Sequence, residues 1–414
     1  MKAITFLGAT QAHETTYVMP DGREQTAPFF GVALARFYPD LSMQVFVTEK
    51  ARQMHWADFQ RLTEDFVAEL EPVDIPDGAN EAQLWTLFQS VVDAVDDGEQ
   101  VIFDITHGFR SLPFLSFLAA AYLRTVKRIE LEAVLYGNFE ARDQTVKPNR
   151  APVIDLTEFV ALLDWMTAAD RFIRFGDAQD LARQLERTKP DYRRVSKEAL
   201  SDWSNSVGKV ASAMSQLSLS LRLLRPYAAM TGSDALRSRL LDAAGSHSAN
   251  PRPFQILSRR VSEAYAPLAL TESQIDQDPI GLLGIERELV SWYLDRNQLV
   301  QAVAVAREWV VSWAMIHLGH REFLDRDARE GVEGLLGQAI QAQKQNGTNP
   351  SQANSLLASL PGVDRAVDIY AQLGNVRNDL MHAGKRKGAL TAKTLDRKAR
   401  ELCSRLDELP LPAV

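Results

Sequence analysis

The sequence predicts an α/β sheet domain followed by an all-helical region, and three observations carry that prediction. Short runs of β-branched and aromatic residues alternate with helically spaced segments over the first 155 residues. The strand signal stops after Leu156. Beyond it the long segments have helical spacing, broken by loop-forming stretches. Strands alternating with helices point to a mostly parallel sheet covered on both faces.

The buried-strand runs are Ala3–Leu7, Gln44–Val47, Val101–Ile105 and Ile129–Tyr136, with Pro152–Leu156 as a further candidate. Between them, Ala57–Leu70 sets Phe59, Leu62, Phe66 and Leu70 at steps of three and four. Glu81–Val95 lines Leu84, Leu87, Val91 and Val95 along one face. Ser111–Val126 is apolar nearly all round, which predicts a buried helix. Thr157–Arg174, Ala178–Arg187 and Lys197–Leu224 open the helical region. Gly, Ser, Asn and Pro punctuate it at Gly245–Pro253, Asp276–Gly284 and Asn346–Ser351, so its last part starts near Glu286.

The 414 residues suffice for two or three domains, each with its own core. Lys and Arg number 46 against 54 Asp and Glu, a net charge of −8 that excludes coating of nucleic acid or anionic membrane by bulk charge. The charge is uneven. Asp58–Glu99 holds twelve acidic residues against Arg61, whereas Arg377–Arg405 holds nine basic residues against three acidic ones. Either stretch reads equally as a solvated helical face. The single cysteine, Cys403, excludes an internal disulfide and a Cys-rich zinc site. The first residues lack the layout of a signal peptide. Phe114–Leu123 is too short to span a bilayer, and Leu299–Leu318 carries Arg307 and Glu308 in its middle. A soluble, cytoplasmic chain is expected.

Two strand ends carry loops suited to a ligand. The first strand runs into Gly8-Ala9-Thr10-Gln11, and the third runs from Asp104 through Thr106-His107-Gly108-Phe109-Arg110-Ser111 into a helix. Ligands of open parallel sheets bind beyond the carboxyl ends of the strands. Gly8 and Gly108 allow close backbone approach, the helix start favours an anion, and Thr10, Thr106, His107 and Arg110 add donors. Taken singly, the glycines serve tight turns and Thr106 or Ser111 caps a helix. Together they describe a nucleotide or phosphate pocket. Neither a Walker A pattern nor a full G-x-G-x-x-G is present, which disfavours ordinary NTPase and dinucleotide roles.

The second constellation is Arg377-Asn378-Asp379-Leu380-Met381-His382, on a helix whose apolar stripe is Ala366, Ile369, Leu373, Val376 and Leu380. At about 100° per residue, His382 lies on the side opposite Leu373, so it does not face the core. A His in the last turn before Gly384 also complements the helix dipole and needs no other purpose. Arg377 is about 140° from His382, so one straight helix does not converge them on a single phosphate. Either the helix distorts or a symmetry mate supplies a second copy. His317 and His320, three apart near a helix end, read as surface or capping residues rather than metal ligands.

Arg377–His382 resembles the R-X4-H motif of HEPN ribonucleases, and Arg296–Gly319, with Trp309 and Trp313, resembles the long helix beside it. The N-terminal part resembles a CARF domain (CRISPR-associated Rossmann fold). That likeness rests on Phe6-Leu7-Gly8, on Val47-Thr48-Glu49-Lys50-Ala51 and above all on Asp104–Arg110. CARF first and HEPN last matches the CARF–HEPN ribonucleases of type III CRISPR systems. The resemblance implies a Rossmann-like CARF ligand-sensing domain over residues 1–155, a helical connector over 156–285 and a HEPN ribonuclease domain over 286–414.

It implies a function too: metal-independent cleavage of single-stranded RNA in antiviral defence, switched on by a cyclic oligoadenylate bound across a homodimer or dimer-based higher oligomer. Cyclic tetra-adenylate comes first by family frequency and hexa-adenylate next. Arg377, Asn378 and His382 would be catalytic. Gly8, Ala9, Thr10, Gln11, Thr48, Thr106, His107, Gly108, Phe109, Arg110 and Ser111 would hold the activator, with no cofactor and no metal. Relatives often show Gly-Thr-Gly where this chain has Gly8-Ala9-Thr10, a departure that bears on ring size. The alternative is a cyclic-nucleotide-sensing regulatory protein without nuclease activity. A third reading adds to the first: the pocket slowly cleaves its own activator.

Overall fold

β1 (Lys2–Leu7) is the pivot of the first unit, with every residue after Lys2 buried. It is one strand of an eight-stranded sheet in a computed structural model that describes residues 1–107, 111–193, 195–245, 252–347, 349–385 and 387–412. The other strands are β2 (Thr15–Val18), β3 (Glu24–Ala27), β4 (Leu41–Val47), β5 (Val67–Asp74), β6 (Gln100–Asp104), β7 (Glu130–Gly137) and β8 (Asn149–Asp155). Their spatial order is β3-β2-β8-β7-β6-β1-β4-β5. Five strands, β5 through β7, pair in parallel. β8 joins β7 antiparallel and β3 joins β2 antiparallel, while β2 lies parallel to β8. The sheet is therefore mixed, which corrects the mostly parallel expectation at one edge.

Alternation along the central strands feeds two cores. Ala3, Met43, Val45, Ile102 and Ala133 pack with α1 (Phe30–Phe37) and α2 (Glu49–Thr63). Ile4, Phe6, Phe46, Phe103 and Val134 pack with α3 (Glu81–Asp93) and α4 (Leu112–Val126). Two local expectations fail here. The helix expected over Ala57–Leu70 ends at Thr63, and Val67–Leu70 instead begins β5. β5 is an edge strand carrying Glu69, Glu71 and Asp74, so its polar face hid it; β2 and β3 are four residues each. The helix read as buried is α4, but Phe114, Leu118, Tyr122 and Val126 are exposed along it. Only Leu112, Ser116, Ala119, Ala120 and Leu123 are buried within it.

The chain divides into two units, Met1–Asp164 and Trp165–Val414, at a boundary inside α5 (Thr157–Phe175). The second unit is helical: α6 (Gln179–Arg187), α7 (Lys197–Trp203), α8 (Lys209–Arg222), α9 (Pro226–Gly245), α10 (Arg252–Tyr265), α11 (Glu272–Gln277), α12 (Pro279–Asp295), α13 (Leu299–His317), α14 (Arg326–Asn346), α15 (Pro350–Ala353), α16 (Ser355–Ala358), α17 (Val363–Met381) and α18 (Ala392–Ser404). One hydrophobic core runs from Trp165 to Leu409, across both sides of Glu286. At its centre α13 buries Trp309 and Trp313, whose indole N–H groups donate to the Leu283 and Pro410 carbonyls at 2.7 and 2.8 Å. α13 has the length and apolar composition of a membrane span, and most of it is buried inside this core. Arg296, taken above as the start of this helix, is instead the C-cap of α12.

Candidate functional site

The first unit changes strand order beside β1, which pairs with β4 on one side and β6 on the other. The carboxyl ends of β1 and β6 thus open side by side, the place where such sheets bind ligands. Thr5 and Asp104 tie them together beneath the surface. The Thr5 hydroxyl donates to Asp104 Oδ2 at 2.5 Å, and the Thr106 backbone N–H donates to Oδ1 at 2.8 Å. Thr106 Oγ1 accepts from the Gly137 N–H at 2.8 Å, joining the β6 loop to the end of β7. A Cβ on Gly137 would meet the Phe30 and Tyr17 rings at 3.0 Å, so a side chain here would have to displace them by a few tenths of an ångström.

His107 Nε2 accepts the backbone N–H of Phe30, the first residue of α1, at 3.1 Å. An accepting Nε2 carries no proton, which assigns His107 as neutral with its proton on Nδ1. Burial lowers the His107 pKa and raises that of Asp104, and the charge of each partner opposes both shifts. His107 therefore serves the fold as well as the cavity wall.

A cavity of about 360 Å³ lies over these strand ends. Gly8, Thr10 and Gln11 line it from the loop after β1, and Thr106 and His107 from the loop after β6. Gly108, Phe109 and Arg110 lie outside the described residues. Three expected ligand residues do not line it. Ala9 packs on the core; Thr48 is the N-cap of α2, accepting from Ala51 N at 3.3 Å; and Ser111 is the N-cap of α4. Among the lining residues the sequence reading missed are His13, Phe29, Tyr136, Phe139 and Glu140. His13 and Phe139 stack at 5.8 Å, and the Arg142 guanidinium lies 3.9 Å from the Phe139 ring centre. His55 contacts the Thr10 carbonyl at 2.9 Å. Tyr136 and Phe139, at and just past the end of the fourth predicted strand, were the available signal. Flat rings beside hydroxyls and backbone N–H groups suit a ligand with an aromatic base and a polar backbone.

In the second unit, α17 packs on α13 and carries Arg377, Asn378 and His382, all exposed. His382 is the C-cap; Ala383 and Gly384 follow with φ of 51° and 69°, turning the chain out of the helix. Val376 and Leu373 are buried as the stripe predicted, and Asp379, set between the exposed residues, is buried as well. Its Oδ2 accepts the Leu390 N–H at 2.9 Å, which holds the returning loop against the end of α17. Arg377, Asn378 and His382 make no side-chain hydrogen bond or ion pair among the described residues. The basic stretch divides in two. Arg400 is bound to Leu294 O, Asn297 and Asp396, and Arg405 to Asp368 and Glu408. Lys385, Lys387 and Lys393 are exposed beside Arg377 in sequence. His317 contacts the Pro410 carbonyl at 3.1 Å. Among the described residues no group of three or more His, Cys, Asp or Glu side chains is placed to hold a metal ion.

Comparison with known proteins addresses both units. Residues 2–140 match the family model of the CARF domain of the CRISPR system endoribonuclease Csx1. The first unit thus has the sequence character of a CARF domain of a CRISPR-associated protein. Residues 161–264, which no motif had assigned, match the second domain of the CRISPR-associated protein MJ1674. MJ1674 of Methanocaldococcus jannaschii is 28% identical over 112 residues, which cover 26% of this chain and 17% of that protein. A solved structure of Enterococcus italicus Csm6 bound to cyclic hexa-2'-fluoro-hexa-dAMP aligns over 98% of this chain and 92% of its own, with 11% identity and a TM-score of 0.38.

Proposed function

We propose that the chain is an RNA endonuclease of a type III CRISPR system, switched on when a cyclic oligoadenylate occupies the cavity over β1 and β6. The observation that carries the reading is the coincidence of that cavity with the segment matching a CARF model, in a chain whose second unit presents Arg377, Asn378 and His382 together at one helix end. Adenine bases would stack on the Phe139 and His13 rings, and the ribose-phosphate ring would take hydrogen bonds from the loops at Gly8–Gln11 and Thr106–His107.

Residues 286–414 act in this reading as a HEPN domain, and two copies of the chain supply paired motifs. Arg377 holds the scissile phosphate and neutralises the charge that develops on it. His382 moves a proton as the neighbouring ribose 2′-OH attacks phosphorus, so the products are a 2′,3′-cyclic phosphate and a 5′-hydroxyl. Asn378 orients the phosphate. The exposure of all three side chains supports a site completed by a second copy. Residues 156–285 would connect the two domains in a cytoplasmic dimer.

Cleavage of unstructured RNA in EDTA, with and without cyclic tetra-adenylate or hexa-adenylate, tests the reading. Activator binding without any cleavage would leave a regulatory sensor in its place. Conversion of the activator itself to linear products would add a slow ring-opening activity to the first unit.

A further inference from the structure

The second unit contains a cavity of about 640 Å³ bounded by α9, α12, α13 and α14. Glu286 of α12 lines it and is 6% exposed. Its Oε2 has no hydrogen-bond partner among the described residues. A buried carboxylate oxygen is seldom left unmatched, because its lost hydration must be replaced. Tyr227 from α9 hydrogen-bonds the Glu286 carboxyl, and Glu308 from α13 and Arg329 from α14 face it. Arg329 does not satisfy it. Its Nη2 donates to Glu308 at 2.6 Å, and its Nη1 donates to Ser312 Oγ and the Phe323 carbonyl at 3.3 and 3.2 Å.

The lining holds four carboxylates, on Glu286, Glu308, Glu330 and Glu333, against three guanidinium groups, on Arg225, Arg326 and Arg329. Glu330 is taken up by Arg326 at 2.8 Å and Glu333 lies 3.8 Å from Arg307, and Glu286 Oε2 is the buried oxygen of this lining without a hydrogen bond among the described residues. Leu224, Pro226, Phe323 and Leu324 supply apolar wall. An anion would meet an unmatched negative oxygen. A planar cation with two N–H groups on one edge fits a carboxylate in bidentate fashion and gives up its hydration more readily than an ammonium.

We propose that this cavity binds a small molecule carrying an amidinium or guanidinium group on an aromatic or aliphatic body, with the cationic edge seated on Glu286. The proposal stands apart from the nuclease reading, since neither the activator cavity nor Arg377 and His382 enters it. Burial raises the Glu286 carboxyl to about 7, with Arg329 opposing the rise and Glu308 adding to it. Near neutrality the side chain is therefore shared between its acid and carboxylate forms. Seating a cation converts the carboxylic acid to carboxylate and sends the proton to the buffer.

Calorimetric titration of the full chain with benzamidinium chloride, in two buffers of different ionisation enthalpy, tests the proposal. One benzamidinium should bind per chain with release of a fraction of a proton at pH 7, and more tightly at pH 8 than at pH 6. Neutral benzamide should bind at least tenfold more weakly, and Glu286→Gln should cost benzamidinium at least tenfold. Absence of benzamidinium binding at millimolar concentration overturns the proposal. So does equal binding of benzamide, or binding to the wild-type chain without proton release. These wild-type measurements decide the matter even where Glu286→Gln fails to fold.

Discussion

His107 and Phe30, 77 positions apart, meet where the His107 ring nitrogen accepts the first backbone N–H of α1 at 3.1 Å. This bond gives α1 the N-terminal acceptor that its own N-cap, Phe29, does not supply. It also fixes the loop after β6, whose Thr106 and His107 line the cavity, against the start of α1.

A pH effect follows from that bond. The folded-state pKa of His107 lies below its ordinary value of 6.5, chiefly through burial. A base depressed in the folded state contributes stability above its unfolded value and loses it as pH falls below about 6.5. Glutamine keeps a neutral acceptor without titrating. His107→Gln should therefore lose less stability than the wild type between pH 7 and pH 5, as read by chemical denaturation. Identical pH slopes in the two proteins would mean that His107 is not held neutral.

Thr106 offers a second handle on the same loop. Thr106→Val keeps the shape but removes the acceptor for the Gly137 N–H. Loss of that bond should cost about 1–3 kcal/mol of stability. It should also weaken cyclic tetra-adenylate binding while leaving the basal RNA affinity of the second unit unchanged. A variant as stable as wild type would show that water replaces the hydroxyl at no cost.

The division of the basic stretch predicts two kinds of variant. Alanine at Lys385, Lys387 or Lys393 should raise the KM for RNA and reduce the slope of log affinity against log salt by about 0.7 for each phosphate no longer neutralised. Arg400→Ala should instead lower Tm, by about 2–4 °C for each kcal/mol of destabilisation, because its guanidinium holds Leu294 O and Asn297. Thermal unfolding beside salt-dependent RNA binding separates the two sets. A stable Arg400→Ala with weakened RNA binding would reverse the assignment.

Legibility in the sequence followed burial. Central strands such as β6, apolar through Val101, Ile102 and Phe103, were readable, as was the α17 stripe through Leu373 and Val376. β5 was not, because an edge strand exposes one face and carries glutamates that mimic a helix surface. α4 was misjudged because apolar composition does not distinguish a core helix from one with an exposed apolar face, here Phe114 and Tyr122. In the cavity, the loops holding Gly8 and Thr106 could be placed from strand ends. The contributions of Phe29 and Tyr136 arise from strand order, which local sequence does not encode. The MJ1674-like segment at residues 161–264 has no chemical motif, so only its likeness to a family model distinguishes it.

The central claim is an activator-dependent nuclease acting through Arg377 and His382, and RNA cleavage in EDTA with saturating cyclic oligoadenylate tests it most directly. The wild-type chain should cleave unstructured RNA to 2′,3′-cyclic phosphate ends when activator is added. Arg377→Ala and His382→Ala should each lower that rate by ~100-fold or more while still binding the activator. Full activated cleavage by either variant, or none by the wild type with any ring size, would contradict it.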